Sequence, residues 1–198
     1  MYRRPTIDRS QFDVIVNPGE SIQAALEKAP ADPSVVFKVL IRKGTYNQKV
    51  IIDRPNVVLV GEQRDSTIIV YAETAKSRTI KEYRGKPVGN GVVVLQDGAD
   101  DCIISGLTIY NNYGTTVEKT TTHQMALFGR ATRTIVINCN IWADGNDALA
   151  LWAPDGNGMY YPADPDPRFP RVALLCPRSQ PSSPRRPSSG SGTAITPT

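Results

Sequence analysis

From residue 35 onward the 198-residue chain is a succession of short β-rich runs with no helical periodicity between them, and this pattern limits its fold more than any other feature. The runs lie at 35–41, 50–52, 57–60, 67–71, 92–95, 102–104, 107–110, 134–137 and 148–152, each bounded by Gly, Asn, Asp or Pro. Many short strands build either an antiparallel sandwich or a solenoid in which each run stacks on its equivalent in the next coil. Internal similarity separates the two. Residues 104–110 repeat in chemistry as residues 136–142, an offset of 32, with Gly106 and Asn138 as the small turn residue between two strands. Residues 56–61 show the same strand followed by a small residue. Strand, kink, strand is how a parallel β-helix turns its corners, and the spacing suits coils of about 20 to 30 residues. The predicted class is therefore all-β, a single-stranded parallel β-helix.

One helix precedes the strands. Ser21 is its N-cap, Ile22, Ala25, Leu26 and Ala29 share a face, and Pro30 and Pro33 stop it. In a solenoid such a helix would cap the open N-terminal end, where backbone edges need covering. At the other end the composition shifts near Pro162: nine of the sixteen prolines lie from there on, joined by a serine-rich run over 179–191. Proline removes backbone donors and the segment has little apolar content, so it is expected to be disordered. The resulting division is an N-terminal arm at 1–13, the β-helix at 14–161, and a Pro/Ser/Arg-rich tail at 162–198.

The charge of +4 belongs to that tail. Residues 168–198 hold five arginines and no acid, while the first 167 carry 18 basic against 19 acidic groups, interleaved rather than clustered. No nucleic-acid footprint results. No apolar stretch approaches a membrane span, and no secretory signal is visible at the start. Cys102, Cys139 and Cys176 are too few for a disulfide framework, fit no zinc spacing and read as small apolar fillers. His123, the single histidine, reads as structural beside a strand; Asp97, Asp100 and Asp101 read as a solvated acidic turn rather than a calcium site. Trp142, Trp152, Tyr110, Tyr113, Tyr160 and Tyr161 read as core or stacking residues, with sugar stacking as the other use. No metal or cofactor is expected.

Residues 44–50 (Gly-Thr-Tyr-Asn-Gln-Lys-Val), 56–62 together with 65–69, and 106–112 closely resemble, in order, the motifs of pectin methylesterases. Residues 123–127 (His-Gln-Met-Ala-Leu) are similar to that family's glutamine-bearing strand, and residues 145–149 (Gly-Asn-Asp-Ala-Leu) to its glutamine-aspartate-threonine-leucine segment. The resemblance runs over about 14–152. It implies a right-handed parallel β-helix and metal-independent hydrolysis of galacturonate methyl esters, in a cell wall polysaccharide. In the family one aspartate attacks, a second serves as acid then base, and glutamine amides hold the oxyanion. Carried over, Asp147 matches the acid/base aspartate, Gln124 the first glutamine, and Asn146 the second, one methylene shorter. Gln124 and Asp147 are 23 residues apart, about one coil, so stacked rungs ~4.8 Å apart would bring them together.

The nucleophile departs from the pattern. The family segment Val-Asp-x-x-Cys-Pro-Arg-Gly stands here as Val172-Ala173-Leu174-Leu175-Cys176-Pro177-Arg178-Ser179, with alanine in place of the attacking carboxylate. Asp164 and Asp166 are flanked by prolines and make poor substitutes. The resemblance ends after Arg178, as expected of a chain truncated or changed in reading frame near residue 162. The readings are therefore a pectinesterase-like ester hydrolase of methylated pectin and, as the alternative, a catalytically inactive β-helix that binds acidic polysaccharide. Either is expected to be monomeric, with a polysaccharide partner, no nucleic acid and no membrane. Members of the resembled family usually act outside the cell, but no signal in this sequence supports that directly, and its location is left unassigned.

Overall fold

The computed structural model describes residues 8–151 and, as backbone, Ala173–Leu175. A 3-10 turn at Arg9–Gln11 leads into β1 (Val14–Val16) and α1 (Ile22–Leu26). The next coil carries β2 (Phe37–Ile41), β3 (Gly44–Asn47) and β4 (Val50–Ile52). The third carries β5 (Val57–Gly61) and β6 (Thr67–Tyr71), then an inserted hairpin of β7 (Glu82–Tyr83) and β8 (Lys86–Pro87), then β9 (Val93–Leu95). The fourth has β10 (Ile103–Ser105), β11 (Thr108–Asn111), the single turn α2 (Tyr113–Thr116) and β12 (Leu127–Gly129). The fifth has β13 (Ile135–Ile137), β14 (Asn140–Ala143) and β15 (Leu149–Leu151), and β16 (Ala173–Leu175) follows.

These strands stack into three parallel sheets. Sheet A runs β1-β2-β5-β10-β13-β16, sheet B β3-β6-β11-β14, and sheet C β4-β9-β12-β15. Every pairing within them is parallel and in register, so the fold is a three-sided parallel β-helix. Inward columns fill it. Val39, Leu59, Ile104 and Val136 stack down sheet A, and Tyr46, Ile69, Ile109 and Ile141 down sheet B. Val50, Val93, Leu127 and Leu149 do so in sheet C. Fully burying each such aliphatic side chain is worth about 1.5–3 kcal/mol, repeated at every rung.

Coil length varies more than the sequence pattern predicts. Val39 to Leu59 advances 20 residues and Ile104 to Val136 advances 32, but Leu59 to Ile104 advances 45, because the β7–β8 hairpin is inserted between sheets B and C. The run from residue 35 begins as strand only at Phe37, since Val35 and Val36 face solvent. Strands β1, β3, β7, β8, β12, β14 and β16 lie outside the predicted runs.

The helix forms where the sequence predicts, but shorter. Ser21 Oγ accepts from Ala24 N at 3.1 Å, α1 ends at Leu26, and tighter turns carry the chain to Ala29. Gln23 ties it to the first strand of sheet C: its Oε1 accepts from Ile51 N at 2.8 Å and its Nε2 donates to Ile51 O at 3.2 Å.

Corners are set by left-handed residues that recur from coil to coil. Asn56, Asp101 and Arg133 have φ of 60, 57 and 52°, each two residues before the strand position that stacks in sheet A. Gly106 and Asn138 hold the next corner at φ 66 and 53°. The outer face of sheet C is apolar as well: Ile51, Val94, Phe128 and Ala150 form one buried row, covered by Val88, Ile80, Tyr83 and Met125. The tail at 162–198, with Trp152, Tyr160, Tyr161, Asp164, Asp166, Cys176 and Arg178, lies outside the described residues apart from the β16 backbone.

Candidate active site

The corner leading from sheet B into sheet C carries the residues singled out in the sequence. His123 and Asn146 form a parallel bridge between the fourth and fifth coils, which sets Gln124 beside Asp147 on neighbouring rungs. Gln124 N donates to Asn146 O at 3.0 Å and Asn146 N to Thr122 O at 3.3 Å. Asp147 sits in the left-handed region at φ 60°, a conformation Asp and Asn adopt more readily than most residues, and this turns its carboxylate outward just before β15.

The three candidates do not share one environment. Asn146 and Asp147 are exposed, and Asn146 Nδ2 donates to Thr121 O at 2.8 Å, which leaves one of its two amide hydrogens free. Gln124 is fully buried: its Nε2 donates to Thr120 O at 3.2 Å and its Oε1 has no partner. Gly145 lies over it so closely that a Cβ there would come within 2.6 Å of Gln124 Nε2. The Asp147 carboxylate is occupied by a residue the sequence reading set aside: His123 Nδ1 is hydrogen-bonded to Asp147 Oδ2. The signal was the spacing of 24, one more than Gln124, but it acquires meaning only from the register.

Two asparagines grip the strand, Asn90 from the coil above and Asn111 from the same coil. Asn90 Nδ2 donates to His123 O at 3.1 Å, and Asn111 Nδ2 donates to Met125 O at 3.0 Å and to Glu73 O at 2.8 Å. The Gln124 peptide is thus held on both sides. Beneath it lies a buried ion pair, Lys49 with Glu73. Lys49 Nζ also donates to Gly89 O at 3.0 Å, and Glu73 Oε1 accepts from Gly91 N at 3.2 Å, so the pair fixes the loop that presents Asn90. Burial pushes Lys49 below its ordinary value and Glu73 above its own, each opposed by contact with the other.

Beside this corner, the hairpin closes a crevice of about 400 Å³ over the outer face of sheet C. Val94 and Phe128 form part of its lining, and Arg78, Lys86 and Arg130 surround it with Asp97 as the acid among them. Arg130 lies over the Phe128 ring at 5.9 Å from its centroid. Asn90 lines the crevice and also holds the His123 carbonyl, so one residue touches both.

The remaining candidates sit elsewhere. Tyr110 and Trp142 meet edge to face at 6.3 Å on the outside of sheet B, with Tyr110 Oη donating to Asp144 Oδ1 at 2.7 Å. Tyr113 opens α2. Asp101 is held by Arg133 and Asp100 Oδ1 accepts from Thr132 N, so this turn is engaged by protein donors. Cys102 is core, its thiol pushed up to about 11 by burial, and Cys139 packs against the core with Sγ facing the Ile104 and Ile137 carbonyls.

Known proteins are similar to this chain in sequence and in fold. Pectinesterase A of Dickeya chrysanthemi is 34% identical over 94 residues, which cover 48% of this chain and 25% of that protein, and Pectinesterase A of Dickeya dadantii strain 3937 gives the same figures. The chain thus aligns with about a quarter of the length of these curated relatives. Pectin methylesterase PemA from Erwinia chrysanthemi superposes with a TM-score of 0.52 at 23% identity, over 66% of this chain and 43% of that one. Pectin methylesterase from carrot superposes with 0.53 at 18% identity, over 70% and 41%. These likenesses carry the fold. The Pectinesterase family model matches residues 17–149, two thirds of the sequence and every coil that builds the corner, and on that match the chain belongs to the pectinesterase family.

Proposed function

We propose that the chain is a pectinesterase-type ester hydrolase whose substrate is methyl-esterified galacturonan, with the Asp147 corner as its reacting centre. The observation that carries this reading is the register itself, which sets an exposed carboxylate and the free amide hydrogen of Asn146 on the rung below Gln124, inside the family-matched stretch. In this reading Asp147 serves the proton transfers, and Asn146 and Gln124 are the oxyanion donors. Asn146 is already at the surface, whereas Gln124 is buried against the Gly145 turn. The crevice with Arg78, Lys86 and Arg130 would receive neighbouring, already demethylated uronates of the polymer.

Methanol release from methylated pectin tests this. Activity that is lost in Asp147→Ala supports the reading, and the absence of any release overturns it. A second reading, an inactive β-helix that binds acidic polysaccharide, draws on the same cationic crevice and on Ala173 at the family's nucleophile position. It predicts saturable binding of polygalacturonate without turnover.

A further inference from the structure

The Asp147 carboxylate does not stand alone: His123 Nδ1 is bonded to it, and the His123 side chain is 61% exposed. We propose that His123 is a general base for ester hydrolysis at this corner, oriented by Asp147, so that water rather than a protein carboxylate attacks the ester. This rests on the function proposed above and changes which group moves the proton. Geometry assigns the tautomer. With Nδ1 donating to Asp147 Oδ2, the ring proton sits on Nδ1 and the lone pair on Nε2, on the solvent side. The His123 backbone is fixed as well, because Asn90 Nδ2 holds its carbonyl and the bridge to Asn146 holds the strand, while Asp147 alone orients the ring.

The step balances without a co-reactant. Nε2 takes a proton from water as the water oxygen bonds to the ester carbonyl carbon. The negative charge that develops on the carbonyl oxygen faces the remaining hydrogen of the Asn146 amide. Collapse of the intermediate breaks the bond to the methoxy oxygen, which takes the proton back from Nε2 and leaves as methanol; the acid product loses its proton to solvent. Asp147 stabilises the imidazolium in between and changes no bond, a positioning role rather than nucleophilic attack. Such a base removes the need for a carboxylate at position 173, where this chain has alanine.

Among the described residues, Asp144, on the fifth coil with Asp147, is committed to Tyr110 and Thr115, the coil above presents the neutral amide of Asn90, and the Lys49–Glu73 pair closes on itself through Gly89 and Gly91. General-base catalysis needs the neutral form of the ring, so the rate is expected to rise with pH.

The test uses the full chain, His123→Gln and Asp147→Asn, with methylated pectin and, separately, p-nitrophenyl acetate as substrates. His123 is exposed and asparagine tolerates the backbone of residue 147, so both variants keep the fold, which far-UV circular dichroism checks. We expect His123→Gln to lower turnover of both esters about a hundredfold. The acid limb of the rate profile should coincide with the titration of the single histidine followed by NMR, and Asp147→Asn should move both together. Pectin turnover that falls in Asp147→Asn but persists in His123→Gln, with an unchanged limb, would overturn the proposal and leave the pectinesterase reading standing. Hydrolysis of p-nitrophenyl acetate faster than by equimolar imidazole, dependent on both residues but without methanol release from pectin, would uphold the dyad and sink the pectin reading. Loss of neither activity in His123→Gln, or no histidine-dependent hydrolysis of either ester, refutes the dyad.

Discussion

Lys49 and Glu73 show how much a single interior contact can be asked to hold. Both side chains are almost completely buried, and the desolvation that moves their ionisations in opposite directions is what their contact must offset. Removing one partner leaves the other charge stranded, so Lys49→Met or Glu73→Gln should each cost about 3–5 kcal/mol in urea unfolding. The double variant should lose markedly less than the two singles together; strict additivity would mean the pair is not coupled. The surface contact of Arg133 with Asp101 behaves differently. Its hydrogen bonds hold the Asp101 carboxyl below the ordinary carboxylate value, so the folded state binds that proton less tightly than the unfolded one. The added stability is present above the ordinary value and is lost as pH falls through the lowered one. Solvent screening keeps the contribution small, so Arg133→Gln should lower stability slightly at neutral pH and flatten the curve in that acid window, with the two proteins converging below it. Asp147, Gln124 and Asn146 were legible as candidates because their residue types match a motif. His123 was not, because a lone imidazole acquires chemistry only from a neighbour, and that neighbour is 24 residues away until register joins them.

Corners and insertions divide the elements into those a sequence announces and those it does not. The corner after sheet A was legible as Gly106 repeating in Asn138, since both residues tolerate the left-handed backbone it needs. Its tightness was not. Gly61 and Gly106 approach so closely that a Cβ on Gly61 would lie 2.4 Å from Gly106 O and 2.6 Å from Leu107 Cβ. Gly61→Ala should therefore destabilise by about 1–3 kcal/mol by forcing two coils apart, whereas Asn138→Gly, at the equivalent corner of the fifth coil, should stay within a few tenths. Equal effects in thermal unfolding would show that backbone conformation, not the coil contact, decides. The hairpin had no comparable signature. β7 and β8 are two residues each, largely charged and exposed, and exist because Val88, Ile80 and Tyr83 find the outer row of sheet C to cover. That row was hidden too: Ile51, Val94, Phe128 and Ala150 look like ordinary outward positions until the hairpin lies over them.

At the scale of the whole molecule, what counts is which of the three sheets a segment joins, and a strand run does not state this. Residues 172–179 resemble the family's nucleophile segment, so an aspartate at 173 would be expected beside Asp147. The backbone of β16 instead extends sheet A, with Ala173 paired to Ile135 and Leu175 to Ile137, whereas Asp147 leads into β15 of sheet C. Neighbouring sheets of the prism meet only at corners, and an attacking group must lie within ~3–3.5 Å of the carbon it attacks. Placing a carboxylate at 173 therefore adds a charge on the wrong side of the coil. Ala173→Asp should leave methanol release from methylated pectin indistinguishable from that of the parent chain, and its sensitivity to His123→Gln unchanged. A gain that disappears when Asp147→Ala is added would show the opposite: that residue 173 reaches sheet C and restores carboxylate attack, with the sheet assignment of β16 being what fails.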